Sequence, residues 1–134
     1  MTSPGFTPSP AYRQELQLLR QEGLASWEEV AALDPAQIRR LASRSPGSEA
    51  RLLRLRGQAQ LVVGVNLAPA EAALLLHAGI ANPAGLAQAD PHALHRQVGR
   101  LQRRLTGGAM APIALAEVRR WILRAGSGPG RSGN

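Results

Sequence analysis

The chain contains no cysteine. Disulfides, thiolate metal sites and cysteine nucleophiles are therefore excluded. Lysine is also absent: all 16 basic residues are arginine. That removes Schiff-base chemistry, a catalytic lysine and a phosphate-loop lysine. Aromatic residues make up only 3% of the chain, with two Trp, one Tyr and one Phe. The core must then be built mostly from Leu, Ala, Val and Ile. No apolar run approaches the roughly 18 residues that a membrane-spanning helix needs. The opening MTSPGFTPSP has neither the basic nor the apolar stretch of a secretory leader. A soluble cytoplasmic protein without membrane contact is the expectation.

What remains is helix-forming and basic. Apolar residues make up 44% of 134 residues, enough for one domain or for two small units sharing a core. Leu and Ala dominate and β-branched residues are sparse, which predicts an all-α fold. The net charge of +7 points toward a polyanionic partner. The planar arginine fork suits phosphate and carboxylate.

Read in order, residues 1–10 form a flexible arm rich in Pro, Ser and Thr. A single helical domain over 11–125 follows, then a flexible tail over 126–134. The first helix runs from about Ala11 to Glu22, with Tyr12, Leu16 and Leu19 on one face and Gly23 as its stop. Ser26 caps a short helix over 27–32, with Glu29 completing a capping box. Asp34-Pro35 starts a helix to Ser43. Ser48 caps a linking helix over 48–63, whose seam is Leu52, Leu55, Ala59 and Val62. Pro69 opens a helix to Ala78, stopped at Gly79. Asn82-Pro83 starts a one-turn helix, and Asp90-Pro91 a long one that ends at Gly107-Gly108. Leu94, Val98, Leu101 and Leu105 form the inward seam of that helix. Pro112 opens a closing helix over 112–125, with Val118, Trp121, Ile122 and Ala125 inward. Trp27 and Trp121 read as core anchors.

A shift of 56 lays LLRQEGLASWEEVAALDPAQIRRLA (18–42) on LLLHAGIANPAGLAQADPHALHRQV (74–98) without a gap. Gly23 falls on Gly79, Asp34-Pro35 on Asp90-Pro91, and Arg40 on Arg96. A turn glycine and an Asp-Pro cap in register carry local backbone instructions that composition alone does not supply. The reading is of two repeats, about 11–47 and 64–107. Each is too small for a core of its own, so the two pack together.

The stretch GVNLAPAEAALLLHAGI (64–80) resembles the helix-hairpin-helix pattern at Pro69, Ala72, Leu75, Leu76, Ala78, Gly79 and Ile80. Over about 11–125 the chain is similar to a bacterial, largely cyanobacterial, family built from two degenerate helix-hairpin-helix-like repeats. EVRRWILRA (117–125) fits the close of that family. The resemblance implies a fold: two such repeats packed into one compact helical domain. Intact motifs of this kind bind nucleic-acid backbone without sequence preference, because hairpin glycines let main-chain N–H groups approach a phosphate. Here the two glycine positions are Asn66 and Ala68. Asn tolerates the left-handed turn; the Ala68 methyl stands where a phosphate would come near.

The candidate binding residues are the polar face of the helix after Asp90, carried by Arg96, Arg100, Arg103 and Arg104, then Asn66 and Ala68 at the hairpin, and Arg51 and Arg54 on the linking helix. No acid occurs between Asp90 and Glu117, which favours a phosphate-tracking face. Arg119, Arg120 and Arg124 sit near a helix C-terminus and suit its dipole. His77, His92 and His95 have no acid or Cys to complete a metal set. There is no nucleophile elbow, no Gly-rich phosphate loop and no carboxylate pair on an apolar wall. The expectation is a non-enzyme without metal or cofactor. Its partner is nucleic acid, DNA ahead of RNA, or alternatively a protein docked on a fold that has lost DNA binding.

Overall fold

Helix starts and stops are set locally, and they build eight α-helices across the described residues, 5–107 and 111–127, of this computed structural model. A 3-10 turn, Pro10–Tyr12, leads into α1, Arg13–Gln21. There follow α2, Trp27–Ala31; α3, Pro35–Ala42; α4, Ser48–Gly64; and α5, Pro69–His77. Then come α6, Pro83–Ala87; α7, Pro91–Thr106; and α8, Leu115–Gly126. No strand occurs among the described residues. α5, α6 and α7 each begin 56 positions after α1, α2 and α3.

Side-chain caps fix four of these starts. The Ser26 hydroxyl accepts the Glu29 N–H at 3.1 Å, and Asn82 Oδ1 accepts the Gly85 N–H at 2.8 Å. Asp90 Oδ2 accepts the Ala93 N–H at 2.7 Å. Asp34 and Gln37 exchange two such bonds, each 2.8 Å. Each cap contributes about 1 kcal/mol. α1 and α5 close alike: Gly23 and Gly79 take φ of +75° and +89°, which glycine adopts without a Cβ penalty. The Leu24 and Ile80 N–H groups then reach back to Leu19 O and Leu75 O, each at 2.9 Å.

One apolar cluster draws on all eight helices. α4 lies at its centre, with residues 55–62 buried or half-buried, and packs against α1, α2 and α3 as well as α5 and α6. α8 covers α6 and α7. Trp27 and Trp121 are fully buried, at about 3 kcal/mol each for the apolar area removed from water. Both indole N–H groups are satisfied, by Gly5 O at 2.8 Å and Glu117 Oε2 at 3.1 Å. Arg120 also bonds to the Glu117 carboxylate; that bond, with help from Trp121 and the nearby Arg124 charge, holds the carboxyl below its ordinary value against the opposing effect of burial.

Several expectations change. Gly47, left-handed at φ +85°, is the N-cap of α4, and Ser48 is its first helical residue. The Ser48 hydroxyl is turned inward because Glu15 of α1 is buried there and needs a donor; Oγ reaches Glu15 Oε2 at 2.8 Å. The buried face of α1 is thus Glu15, Leu18 and Leu19, with Tyr12 and Leu16 half-buried. Leu105 is 51% exposed instead of part of the seam. Buried Gln102 ends that seam and bonds to Ala111 O at 2.9 Å and the Ile113 N–H at 3.3 Å. This holds residues 111–114 out of helical conformation, so the closing helix starts at Leu115. The arm is anchored at Phe6, whose ring meets Trp27 edge-on at 4.9 Å. Residues 1–4 of that arm, Gly108, and 128–134 of the tail lie outside the described residues.

α4 approaches the Ala81 main chain so closely that a Cβ on Gly57 would overlap the Ala81 carbonyl oxygen. Gly57→Ala is expected to cost about 3 kcal/mol, at the upper end of overpacking, since backbone cannot swing aside. On α7, by contrast, a Cβ at Gly99 meets only the flexible Arg103 side chain at 3.6 Å. Gly99→Ala is expected to stabilise by up to about 1 kcal/mol through helix propensity. Urea denaturation midpoints of the two variants check the contrast.

Candidate nucleic-acid interface

Up to Leu101, α7 separates an apolar from a basic face. Leu94, Val98 and Leu101 are buried against the core, while Arg96, Arg100, Arg103 and Arg104 are exposed. The 1.5 Å rise per residue spreads Arg96 to Arg103 over about 10 Å of helix axis. Arg103 and Arg104 also lie in the last turn, where the helix dipole favours a cation.

None of these four guanidinium groups has a carboxylate partner among the described residues. Some arginines elsewhere are engaged, whereas Arg13, Arg20, Arg39, Arg40 and Arg54 are likewise exposed and unpaired among the described residues. Arg44 pairs with Glu22 at 2.5 Å, and Arg120 with Glu117. Arg56 donates to Leu33 O at 3.1 Å and Arg124 to Val65 O at 2.8 Å. The α7 face also extends beyond its own helix. His92, one turn before Arg96, lies with Nε2 3.2 Å from Arg119 Nη2. α8 therefore adds a cation at the N-terminal end of the stripe. The pairing spans 27 positions and has no local signature, so the sequence alone gives Arg119 only a dipole role.

The hairpin between α4 and α5 is built differently. Val65 and Leu67 are buried and anchor it. Asn66 between them is exposed with φ +62°, the left-handed conformation that its side chain tolerates. Ala68 is exposed at the start of α5, and its N–H is already bonded to Glu71 Oε1 at 2.9 Å. The Glu71 carboxylate thus already takes the first main-chain N–H of this turn, the group that the helix-hairpin-helix resemblance would aim at a phosphate.

Arg51 and Arg54 are exposed on α4. They line a groove of about 620 Å³ between residues 7–12, α4 and α5, to which no α7 residue contributes. Arg51 Nη1 donates to Ala11 O at 2.8 Å. The eight candidate residues therefore divide among an α7 face, the turn between α4 and α5, and a separate groove. Among the described residues no group of three His, Cys, Asp or Glu is placed to hold a metal ion, and no helix is long and apolar enough to cross a membrane. His95 Nε2 is instead within 3.0 Å of Ile113 O.

The state of the hairpin makes a specific expectation. Replacing Asn66 and Ala68 together by Gly leaves DNA affinity unchanged, because Glu71 still holds the N–H. Adding Glu71→Gln to that pair removes the repelling charge and raises affinity about 2- to 5-fold, the scale of one charge at a helix terminus. Fluorescence anisotropy with a labelled mixed-sequence duplex measures both; a gain from the glycine pair alone contradicts the geometry.

A family model described as "Domain of unknown function (DUF4332)" matches residues 9–127. No curated protein and no solved structure matches the chain. The match takes in all eight helices, from the turn before α1 to the end of α8, and the chain belongs to the DUF4332 family.

Proposed function

We propose that this chain is a non-catalytic module that binds the phosphate backbone of nucleic acid, DNA ahead of RNA, without reading sequence. The observation that carries the reading is the α7 face: Arg96, Arg100, Arg103 and Arg104, exposed and without carboxylate partners, on a helix held rigid by its opposite side. Such a face gains affinity by releasing counterions from phosphates, with no base contact required. Arg119, beside His92, lengthens it. The work falls to this face rather than to the hairpin. The proposed setting is the cytoplasm.

The same reading treats the fold as two degenerate helix-hairpin-helix-like repeats. Its support is the 56-residue offset of three successive helix starts and the matching left-handed Gly23 and Gly79. In the first copy, the counterpart of the α7 stripe is shortened to the eight-residue α3, and its Arg44 is neutralised by Glu22. Arg39 and Arg40 stay exposed on α3, so the second copy carries the longer stripe. A second reading, a protein-docking module, draws on Leu123 of α8, 69% exposed, and the Ala68 N–H already taken by Glu71. Partners recovered from nuclease-treated lysate would favour it.

A salt series separates the two. Mixed-sequence DNA binding is expected to weaken steeply with salt. Arg96/Arg100/Arg103→Ala should lower the slope of log K against log salt by about 3, near 0.9 for each phosphate that is no longer neutralised. Absence of binding at low salt, or an unchanged slope in the triple variant, would overturn the proposal.

A further inference from the structure

The groove between residues 7–12, α4 and α5 is not used by the α7 face. Its volume, about 620 Å³, lies within the range of small-molecule sites. Its lining has two parts. Ala70, Ala73 and Leu76 of α5 give an apolar wall, and Arg51 and Arg54 of α4 stand across from it, joined by the His77 imidazole. No Asp or Glu lines the groove. Thr7, Ser9 and Tyr12 add hydroxyls on the side of the N-terminal segment.

Two features keep this arrangement in place. Buried Gln58 donates from Nε2 to Pro69 O at 3.1 Å, tying the start of α5 to α4. Arg51 donates to Ala11 O at 2.8 Å and so fastens the opposite wall. Arg54, in contrast, has no hydrogen-bond or ion-pair partner among the described residues. Its five donors remain available, and Arg51 retains most of its own. Small alanine side chains leave the space beside these donors open.

We propose that this groove is a binding site for a small organic anion: an oxyanion head held by Arg54 and Arg51, with an apolar body against Ala70, Ala73 and Leu76. The guanidinium fork accepts carboxylate and phosphate monoester alike, bidentately. The wall opposite rewards an aliphatic body over a hydrated inorganic ion. An extended polyanion strand gains nothing from that wall, so this site is distinct from the α7 face. Its occupancy does not depend on nucleic-acid binding.

The test uses the full chain, ¹⁵N-labelled, with three probes of the same body: hexanoate, hexyl phosphate and hexan-1-ol. One or both anions are expected to shift the Ala70, Ala73 and Leu76 amides saturably, with Kd near or below about 1 mM, and the two anion arms show which head is preferred. Hexan-1-ol should bind at least about tenfold more weakly, since it forgoes the charge-assisted hydrogen bonds. Arg54→Gln, an exposed change that leaves the core untouched, should weaken the anions about tenfold. Ala73→Leu keeps every charge but fills the groove and should abolish binding, while DNA affinity stays at the parent value. Equal binding of the alcohol, anion binding that survives both substitutions, or no saturable shift with either anion overturns the proposal.

Discussion

The closest constraint in the molecule is the approach of α4 to the chain between α5 and α6, where Gly57 leaves room for the Ala81 carbonyl. α4 packs against elements of both halves, with α1, α2 and α3 from the first and α5 and α6 from the second. Over residues 55–62 it is buried or half-buried on every side, while its first two turns keep an exposed face. A side chain at position 57 would push the second half outward. The groove beside Arg51 and Arg54, the hairpin after Gly64 and the seat of α8 all depend on that spacing. α7 in turn is held by α5 and α8. The exposure of its arginines follows from how completely its other face is used.

Much of this was legible because it is local. Ser26, Asp34, Asn82 and Asp90 each cap within three residues, so their signals survive in a single sequence. Gly23 and Gly79 stop helices by a conformation that few other residues adopt. The polar stripe of α7 follows from helical periodicity applied to Arg96, Arg100 and Arg103. Illegible were the interactions that span the chain. Glu15 reads as a surface residue until Ser48, 33 positions away, turns inward to meet it. Arg124 reaches Val65 across 59 positions, and Arg119 reaches His92 across 27. Leu105 fits the heptad-like seam, yet the seam ends one turn earlier because Gln102 turns inward to hold residues 111–114. Such choices depend on what lies opposite, and periodicity carries no information about that.

The arginine-only composition takes on different meanings at different places. Arg56 and Arg124 donate to the backbone carbonyls of Leu33 and Val65, a structural use of the planar fork. Arg44 and Arg120 are neutralised by Glu22 and Glu117. Arg51 is half structural, fastened to Ala11 while lining the groove. Among the described residues, a guanidinium is exposed and unpaired at Arg13, Arg20, Arg39, Arg40 and Arg54, and α7 gathers four more on one helix. The surroundings differ: the α7 arginines stand along an exposed helix face, and Arg54 lines a groove.

The central claim is that the α7 face, not the hairpin, meets nucleic acid. Its most direct test is an NMR titration of the ¹⁵N-labelled chain with a short mixed-sequence DNA duplex at low salt. The largest shifts are predicted along 92–104 and at Arg119, with residues 64–68 left in place. Shifts concentrated at the hairpin, or at Arg51, Arg54 and His77 with α7 unmoved, would contradict it.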